Sequence, residues 1–392
     1  MRILLVVTGF PSKDNPSRSV FNLVAANLLS RKHTITILRI RAWKPGRKFF
    51  KRDTFNEIPI LYLSTPLFTN RFFDCIDLNY LFLQKIIKIF SKHTSKIDVI
   101  HSVGGGLNSY ASSIISKKNN IPFITQYIGN DINFFITKNY KKKSIKKYIN
   151  AASYHVFNSN QLMAVFSSMF NDIKKMRVVY RGIDLKNIED VAINYPYDLK
   201  FLYLGGLVSG DYGDPHDNLK GGVTLINAWK KLDSTIDLTS AKLFFGGPNS
   251  KNAIKYISDS KINYPDSFKI IGEISKSEVK KHLIDANVVI IPSLFEGTPN
   301  VLFEAMAYKN MIVGTKIGGI PEIVDEKFGI LVEPNNENEI VAAIKKIISK
   351  PEIIIKSANE AKQNIKKYDN TNFLKSYSEI YEEVKTSFVS ID

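Results

Sequence analysis

The chain has 392 residues, more than one ordinary domain uses and about right for two, each large enough to bury its own core. With 44% hydrophobic, 23% charged and 11% aromatic residues it reads as globular, which excludes disordered, collagen-like and coiled-coil classes. The net charge of +17 sits in residues 1–150, which hold 25 basic against 7 acidic residues and leave 29 against 30 for the rest, so the first half is expected to meet a polyanion.

Short runs rich in Ile, Val, Leu and Phe alternate with amphipathic stretches, the pattern of parallel α/β sheets. Residues 2–8, 34–40, 98–101, 122–127 and 154–158 read as strands, with helices near 19–31, 78–92, 107–118 and 160–169. The periodicity breaks at 186–198, where Asn194, Tyr195, Pro196 and Tyr197 fall, and then restarts. Residues 200–204, 242–246, 268–272, 287–291, 311–315 and 329–332 read as strands, with helices near 221–232, 250–258, 276–284, 300–309, 337–348 and 351–366. A last helix, about 371–386, has no strand of its own to pair with. The expected division is therefore a domain at 1–190, a second at 198–366, and a segment at 367–392 free to return to the first. Two doubly wound sheets in succession are expected to leave a central ligand cleft, because such sheets bind ligands beyond the carboxyl ends of their strands.

The first apolar run is too short to span a bilayer, no cleavage pattern follows it, and no later run approaches ~18 uninterrupted apolar residues, so the expectation is a chain neither secreted nor membrane-spanning. Cys75 is the only cysteine, which excludes an internal disulfide or a Cys-rich zinc site and suits a reducing cytoplasm.

The most informative stretch is IPSLFEGTPNVLFEAMA at 291–307. A strand ends at Pro292 and Ser293, a loop carries Glu296 and Gly297, and Thr298-Pro299 reads as an N-cap followed by Pro at the first helical position. Glu304 then lies five residues past Pro299, about 7.5 Å along the axis. Two carboxylates flank a helix N-terminus that favours an anion, so phosphate and hydroxyls can be bound together.

Glu296 and Glu304, separated by seven residues, resemble the E-x7-E motif of retaining glycosyltransferases of family 4, which have the two-domain GT-B fold. DANVVIIPS at 285–293, VGTKIGGIPEIV at 313–324, GILVEP at 329–334, LYLGGL at 202–207, Lys220-Gly221-Gly222 and FFGGP at 244–248 are similar to that family in order and spacing. The resemblance implies that Glu304 binds ribose hydroxyls and Glu296 the transferred sugar. It implies too that amides around Gly297, Thr298, Pro299, Asn300 and Val301 meet the sugar and diphosphate, and that Lys220 neutralises the leaving group. Where the family commonly has a second phosphate-binding Arg this chain has Gly206, where many members have an N-domain His it has Ile128, and Ser17, Arg18 and Ser19 replace the usual paired glycines. Arg181, in YRGID, is a candidate to supply the absent cation.

Arg18, Ser19, Asn130 and Asp131 are expected on the acceptor side, with His101 either facing the cleft or an ordinary strand-terminal histidine. No Asp-x-Asp occurs and no His/Asp/Glu cluster has ligand spacing, so no metal and no cofactor besides the nucleotide-sugar substrate is expected. RAWKPGRKFFKRD at 41–53 interleaves Trp43, Phe49 and Phe50 with six basic residues, the composition of a contact with anionic lipid. Lys85, Lys88 and Lys92 beside Ile86, Ile87 and Phe90 read equally as a surface amphipathic helix or a core-packed one, and Lys141, 142, 143, 146 and 147 form a third cluster.

These features point to a retaining glycosyltransferase at the inner face of the cytoplasmic membrane. It would move a sugar from a nucleotide diphosphate sugar to a saccharide acceptor on a polyprenyl diphosphate, for cell-surface polysaccharide such as O-antigen or capsule. Nucleic acid is not expected, because no nucleic-acid motif accompanies the charge. Two other readings stay open: a nucleotide-sugar epimerase on the same fold, and a catalytically silent membrane-binding homologue.

Overall fold

Ile3 to Val7 are fully buried, as a strand covered on both faces requires, and they form the centre of the first sheet as β1 (Arg2–Val7). The computed structural model describes residues 1–12, 19–66, 76–90, 96–173, 175–190, 198–207, 219–250 and 266–389. Cys75, Arg18 and residues 251–258 of an expected helix lie outside them, as does the loop 208–218.

β1 pairs in parallel with β2 (Thr34–Ala42) and with β5 (Val99–Val103). The sheet runs β3-β4-β2-β1-β5-β6-β7-β8, completed by β3 (Phe50–Phe55), β4 (Ile58–Thr65), β6 (Phe123–Tyr127), β7 (Tyr154–Phe157) and β8 (Met176–Val178). The second sheet runs β11-β10-β9-β12-β13-β14, from β9 (Leu199–Tyr203), β10 (Ala241–Gly246), β11 (Phe268–Gly272), β12 (Val288–Ile291), β13 (Met311–Thr315) and β14 (Gly329–Val332). Its order reverses between β9 and β12, which is where a doubly wound sheet opens a ligand crevice.

The β3–β4 hairpin is antiparallel and was not expected from the sequence. Its turn, Asn56-Glu57, has φ of 47° and 65°, a left-handed pair usually signalled by Asn-Gly, and Lys51, Arg52 and Asp53 hide the strand's alternation. The stretch 41–53 is thus the end of β2, a connection and most of β3.

Helices α1 (Val20–Leu29), α2 (Ile76–Phe90), α3 (Leu107–Asn119), α4 (Lys143–Ala151) and α5 (Asn160–Met169) belong to the first sheet's sequence. On α2, Tyr80, Leu83 and Ile87 are buried in the core with Tyr110 and Ile115 of α3 while Lys85 is exposed, so the core-packed reading holds for this helix. On α4, Ile145, Tyr148 and Ile149 are buried and Lys143, Lys146 and Lys147 face water. Helices α6 (Gly222–Asp233), α7 (Lys276–Asp285), α8 (Asn300–Ala307), α9 (Glu337–Ser349) and α10 (Glu352–Asn364) accompany the second sheet, and α11 (Asn370–Val389) ends the described chain.

Two compact units result, one of residues 1–180 with 373–392 and the other of 181–372. Residues 181–190, expected in the first unit, go with the second because Ile183 bridges Asp369, Glu189 pairs with Lys280, and Asp190 pairs with Lys309 and Lys362. The aromatic stripe of α11 is buried in the first unit's core: Tyr377, Ile380, Tyr381 and Val384 cluster with Ile3, Leu5 and Ile37.

This packing corrects the cleft reading of His101. The ring is 1% exposed, its Nδ1 lies 2.7 Å from the Tyr381 hydroxyl, its Nε2 lies 3.2 Å from Gln126 Oε1, and it stacks on Tyr377. Asp131, expected on the acceptor side, acts as a staple within the first unit. Its carboxylate accepts from the backbone N–H groups of Gly105, Ile128, Gly129 and Ile132 at 2.8–3.2 Å, tying the turn after β5 to the turn after β6. Burial raises its pKa against those four donors. Asn130 beside it is exposed, and Ser19 is the N-cap of α1 at φ 53° with no side-chain capping bond.

Candidate active site

Three loops of the second unit meet beyond the carboxyl ends of β9, β12 and β13, and glycines let them touch. Gly221, at φ +73°, lies so close to Pro292 that an added Cβ would sit 1.8 Å from the Pro292 carbonyl oxygen. Gly318, at φ +57°, leaves a Cβ only 2.4 Å from the Glu296 carbonyl oxygen, and the Gly319 N–H donates to Gly297 O at 2.5 Å. The Leu294 N–H donates to Leu219 O at 2.9 Å. Residues 219–221, 292–299 and 317–319 are thereby held as one surface.

That surface brings Lys220 and Glu296 together in an ion pair, although 76 residues of chain separate them. Glu296 also accepts from Ser293 Oγ at 3.3 Å, and its side chain is 11% exposed against 41% for Lys220. Tyr203, buried beneath, donates its hydroxyl to Gly206 O and Lys220 O at 2.9 and 3.1 Å. Burial and the charge of Glu296 raise the Tyr203 pKa, so it stays a neutral donor. Gly206 itself, at φ +65°, is packed on Pro248, with a Cβ position 1.9 Å from the Pro248 carbonyl oxygen; its role here is close packing rather than a side-chain contact.

Helix α8 starts one residue later than expected. Pro299, at ψ 136°, is the N-cap in place of Thr298, so no side chain caps the helix and its first amides, at Asn300 and Val301, have no intrahelical acceptor. Thr298 is buried and Asn300 is exposed. Arg181 donates from Nη1 to Asn300 Oδ1 at 2.8 Å, which puts a guanidinium at this helix start. Glu304, one turn on, is half-buried and has no hydrogen-bond or ion-pair partner among the described residues. Burial raises its pKa, with Lys276 opposing.

The arrangement offers an anion a helix start, a lysine and an arginine, and offers hydroxyls two carboxylates. Ser293, Tyr203 and Gly318 were not singled out from the sequence; positive-φ glycines in GGIP and KGG were the available signal. Among the described residues no group of three His, Cys, Asp or Glu side chains is placed to hold a metal ion. No helix there is long and apolar enough to cross a membrane.

Residues 17–187 match the model of Glycosyltransferase Family 4 and residues 217–368 that of glycosyl transferases group 1. The chain belongs to these glycosyltransferases. The transferase is 22% identical, over 90% of its length and 92% of the relative's, to a protein of Bacillus subtilis named a putative teichuronic acid biosynthesis glycosyltransferase, TuaC. Over half of each chain it is 27% identical to a Campylobacter jejuni N-acetylgalactosamine-N,N'-diacetylbacillosaminyl-diphospho-undecaprenol 4-alpha-N-acetylgalactosaminyltransferase. Its backbone resembles HepE of Anabaena, solved in complex with UDP, at a TM-score of 0.72 with 15% identity, over 97% of this chain and 99% of that one. The transferase therefore has the GT-B fold.

Proposed function

We propose that the transferase moves a sugar, with retention of anomeric configuration, from a UDP- or GDP-linked donor to a saccharide carried on a polyprenyl diphosphate, in cell-surface polysaccharide synthesis. It would work as a peripheral protein at the inner membrane face, its basic first unit towards anionic lipid. The observation that carries the reading is the pair of Lys220 with Glu296, the latter in the loop that leads to the uncapped start of α8, with Glu304 on that helix left without a partner among the described residues.

In this reading the Glu304 carboxylate accepts from two ribose hydroxyls, while Lys220, the Asn300 and Val301 amides and Arg181 meet the diphosphate. Arg181 makes up for the cation absent at Gly206. Glu296, held by Lys220 and Ser293, binds sugar hydroxyls rather than attacking carbon. The bond from the anomeric carbon to the diphosphate oxygen breaks on the face where the acceptor oxygen bonds, and that diphosphate oxygen takes the acceptor's proton. Lys220 stabilises the charge that develops there, and replacing it by alanine is expected to cost about 100-fold in turnover. No metal is given a part. The names of the Bacillus and Campylobacter relatives and the UDP complex of HepE support the substrate classes.

Thermal shifts with UDP, GDP and their sugar conjugates test the donor site. One nucleotide should stabilise the wild type, by ~2.7 kcal/mol at 100 times its Kd, and fail to stabilise Glu304→Ala. A folded wild type that no nucleotide shifts would overturn the proposal.

A further inference from the structure

A cavity of about 610 Å³ opens in the first unit, and Arg39, Arg41, Lys44, Arg47 and Lys51 line it with Asp53. Its place follows from the sheet. On β2 the residues sharing one face are Ile35, Ile37, Arg39 and Arg41: the face is core at its start and turns cationic at its carboxyl end. Thr8, just past β1, lines the same cavity, and Lys51 of β3 lies opposite Tyr62 of β4. Parallel strands bind ligands at that end.

Two of the guanidiniums are held in place by neutral groups. Arg41 donates from Nε to Ser64 Oγ at 3.2 Å and Arg47 from Nη1 to the Ala42 carbonyl at 2.6 Å, both neutral acceptors. Asp53, the one acidic residue among the described residues lining the cavity, pairs with Lys51 at 2.6 Å. The Arg41 guanidinium lies 4.3 Å from the Tyr62 ring centroid, and Arg39 and Lys51 lie 5.8 Å from it. One ring thus carries three cations, beside the single carboxylate of Asp53, and an added anion would be drawn to the excess positive charge. Burial first and the neighbouring Arg47 second lower the Arg41 pKa, with Tyr62 and Asp53 opposing. Three guanidiniums and two ammoniums line the cavity, and the guanidiniums suit the bidentate recognition of phosphate oxygens.

We propose that this cavity is a binding site for a phosphate or diphosphate group, separate from the donor site. Assigning that group to the acceptor's lipid carrier rests on the proposed function; the site itself does not. Trp43 and Phe49, exposed and stacked at 5.7 Å on the segment that supplies Lys44 and Arg47, give the neighbourhood an apolar surface for whatever carries the phosphate.

The test is calorimetric titration of inorganic pyrophosphate into the full chain and into Lys220→Ala, Arg41→Gln and the rim double variant Lys44→Gln/Arg47→Gln. Lys220→Ala should keep a pyrophosphate site, while Arg41→Gln and the double variant each weaken it about tenfold. Added salt should weaken the remaining affinity. Wild-type affinity in both pocket variants, or loss of all binding in Lys220→Ala alone, would overturn the proposal; if Arg41→Gln does not melt cooperatively, the double variant decides. Phosphatidylcholine vesicles with and without phosphatidylglycerol separate the sources. Pocket variants that lose the anionic vesicles place a bilayer phosphate in the cavity, and variants that lose pyrophosphate but keep the vesicles place the carrier's head group there. Nucleotide shifts run on Arg41→Gln and on Lys44→Gln/Arg47→Gln should be unchanged, so a failed donor reading and a failed pocket are told apart.

Discussion

Glu304 shows at the scale of one residue how function and stability oppose each other. A carboxylate that is half-buried without a partner has its pKa raised by burial. A raised carboxylate pKa means that the folded state prefers the neutral form, so the penalty is absent below the ordinary carboxylate range and grows as pH rises through it. Glu304→Gln should therefore raise the stability of the ligand-free protein at pH 7 by on the order of 1 kcal/mol, with the gain fading towards pH 4, while the nucleotide-dependent shift falls. Melting curves of both proteins at the two pH values check this; a variant no more stable at pH 7 would show that the carboxylate carries no burial penalty. Lys220 and Glu296 were legible in the sequence as separate residues with separate partners. Their ion pair was not, because spacing along a chain says nothing of which loops a sheet brings together.

Among the elements, the loops around the site depend on backbone approaches that no other residue type permits. Gly221 combines a left-handed φ with a Cβ position inside the contact distance of Pro292, so Gly221→Ala must move either the start of α6 or the loop that carries Glu296. The backbone conformation alone costs about 1–2 kcal/mol. Turnover should fall further than this stability loss implies, because Lys220 is displaced from Glu296; equal losses in melting temperature and rate would argue that the loops move together. The strands expected from the sequence are found within two residues at either end, since unbroken Ile, Val and Leu runs have few other places to go. What escaped were the short edge strand β8 and the β3–β4 hairpin, of which the hairpin is the more telling. Lys51 and Asp53, on one face of β3, line a charged cavity rather than a core, so two of the residues that hid the strand also make the pocket.

For the whole molecule the informative feature is the return of the chain's last helix to the unit that holds its first strand. The sequence left α11 without a strand to pair with, and the structure gives its aromatic stripe to the first unit's core. Two histidines receive it: His101 against Tyr377 and Tyr381, and His33, whose Nε2 lies 2.9 Å from Ser378 Oγ. Burial pushes His101 down to about 3 and does the same to His155 between β6 and α5, and it lowers His33 as well. Unfolded histidines take up protons near pH 6.5. Between that value and about 3 the unfolded chain binds more protons than the folded one, so the stability present above 6.5 is lost as pH falls, by up to ~1.4 kcal/mol per pH unit for each such histidine. His101→Gln should be less stable than wild type at pH 7.5, having lost the stacked ring, yet lose stability less steeply towards pH 5 by about one proton's share. Denaturant midpoints across that range would show the two curves converging; parallel curves would mean that His101 titrates in the folded protein and that the seat of α11 is open to water.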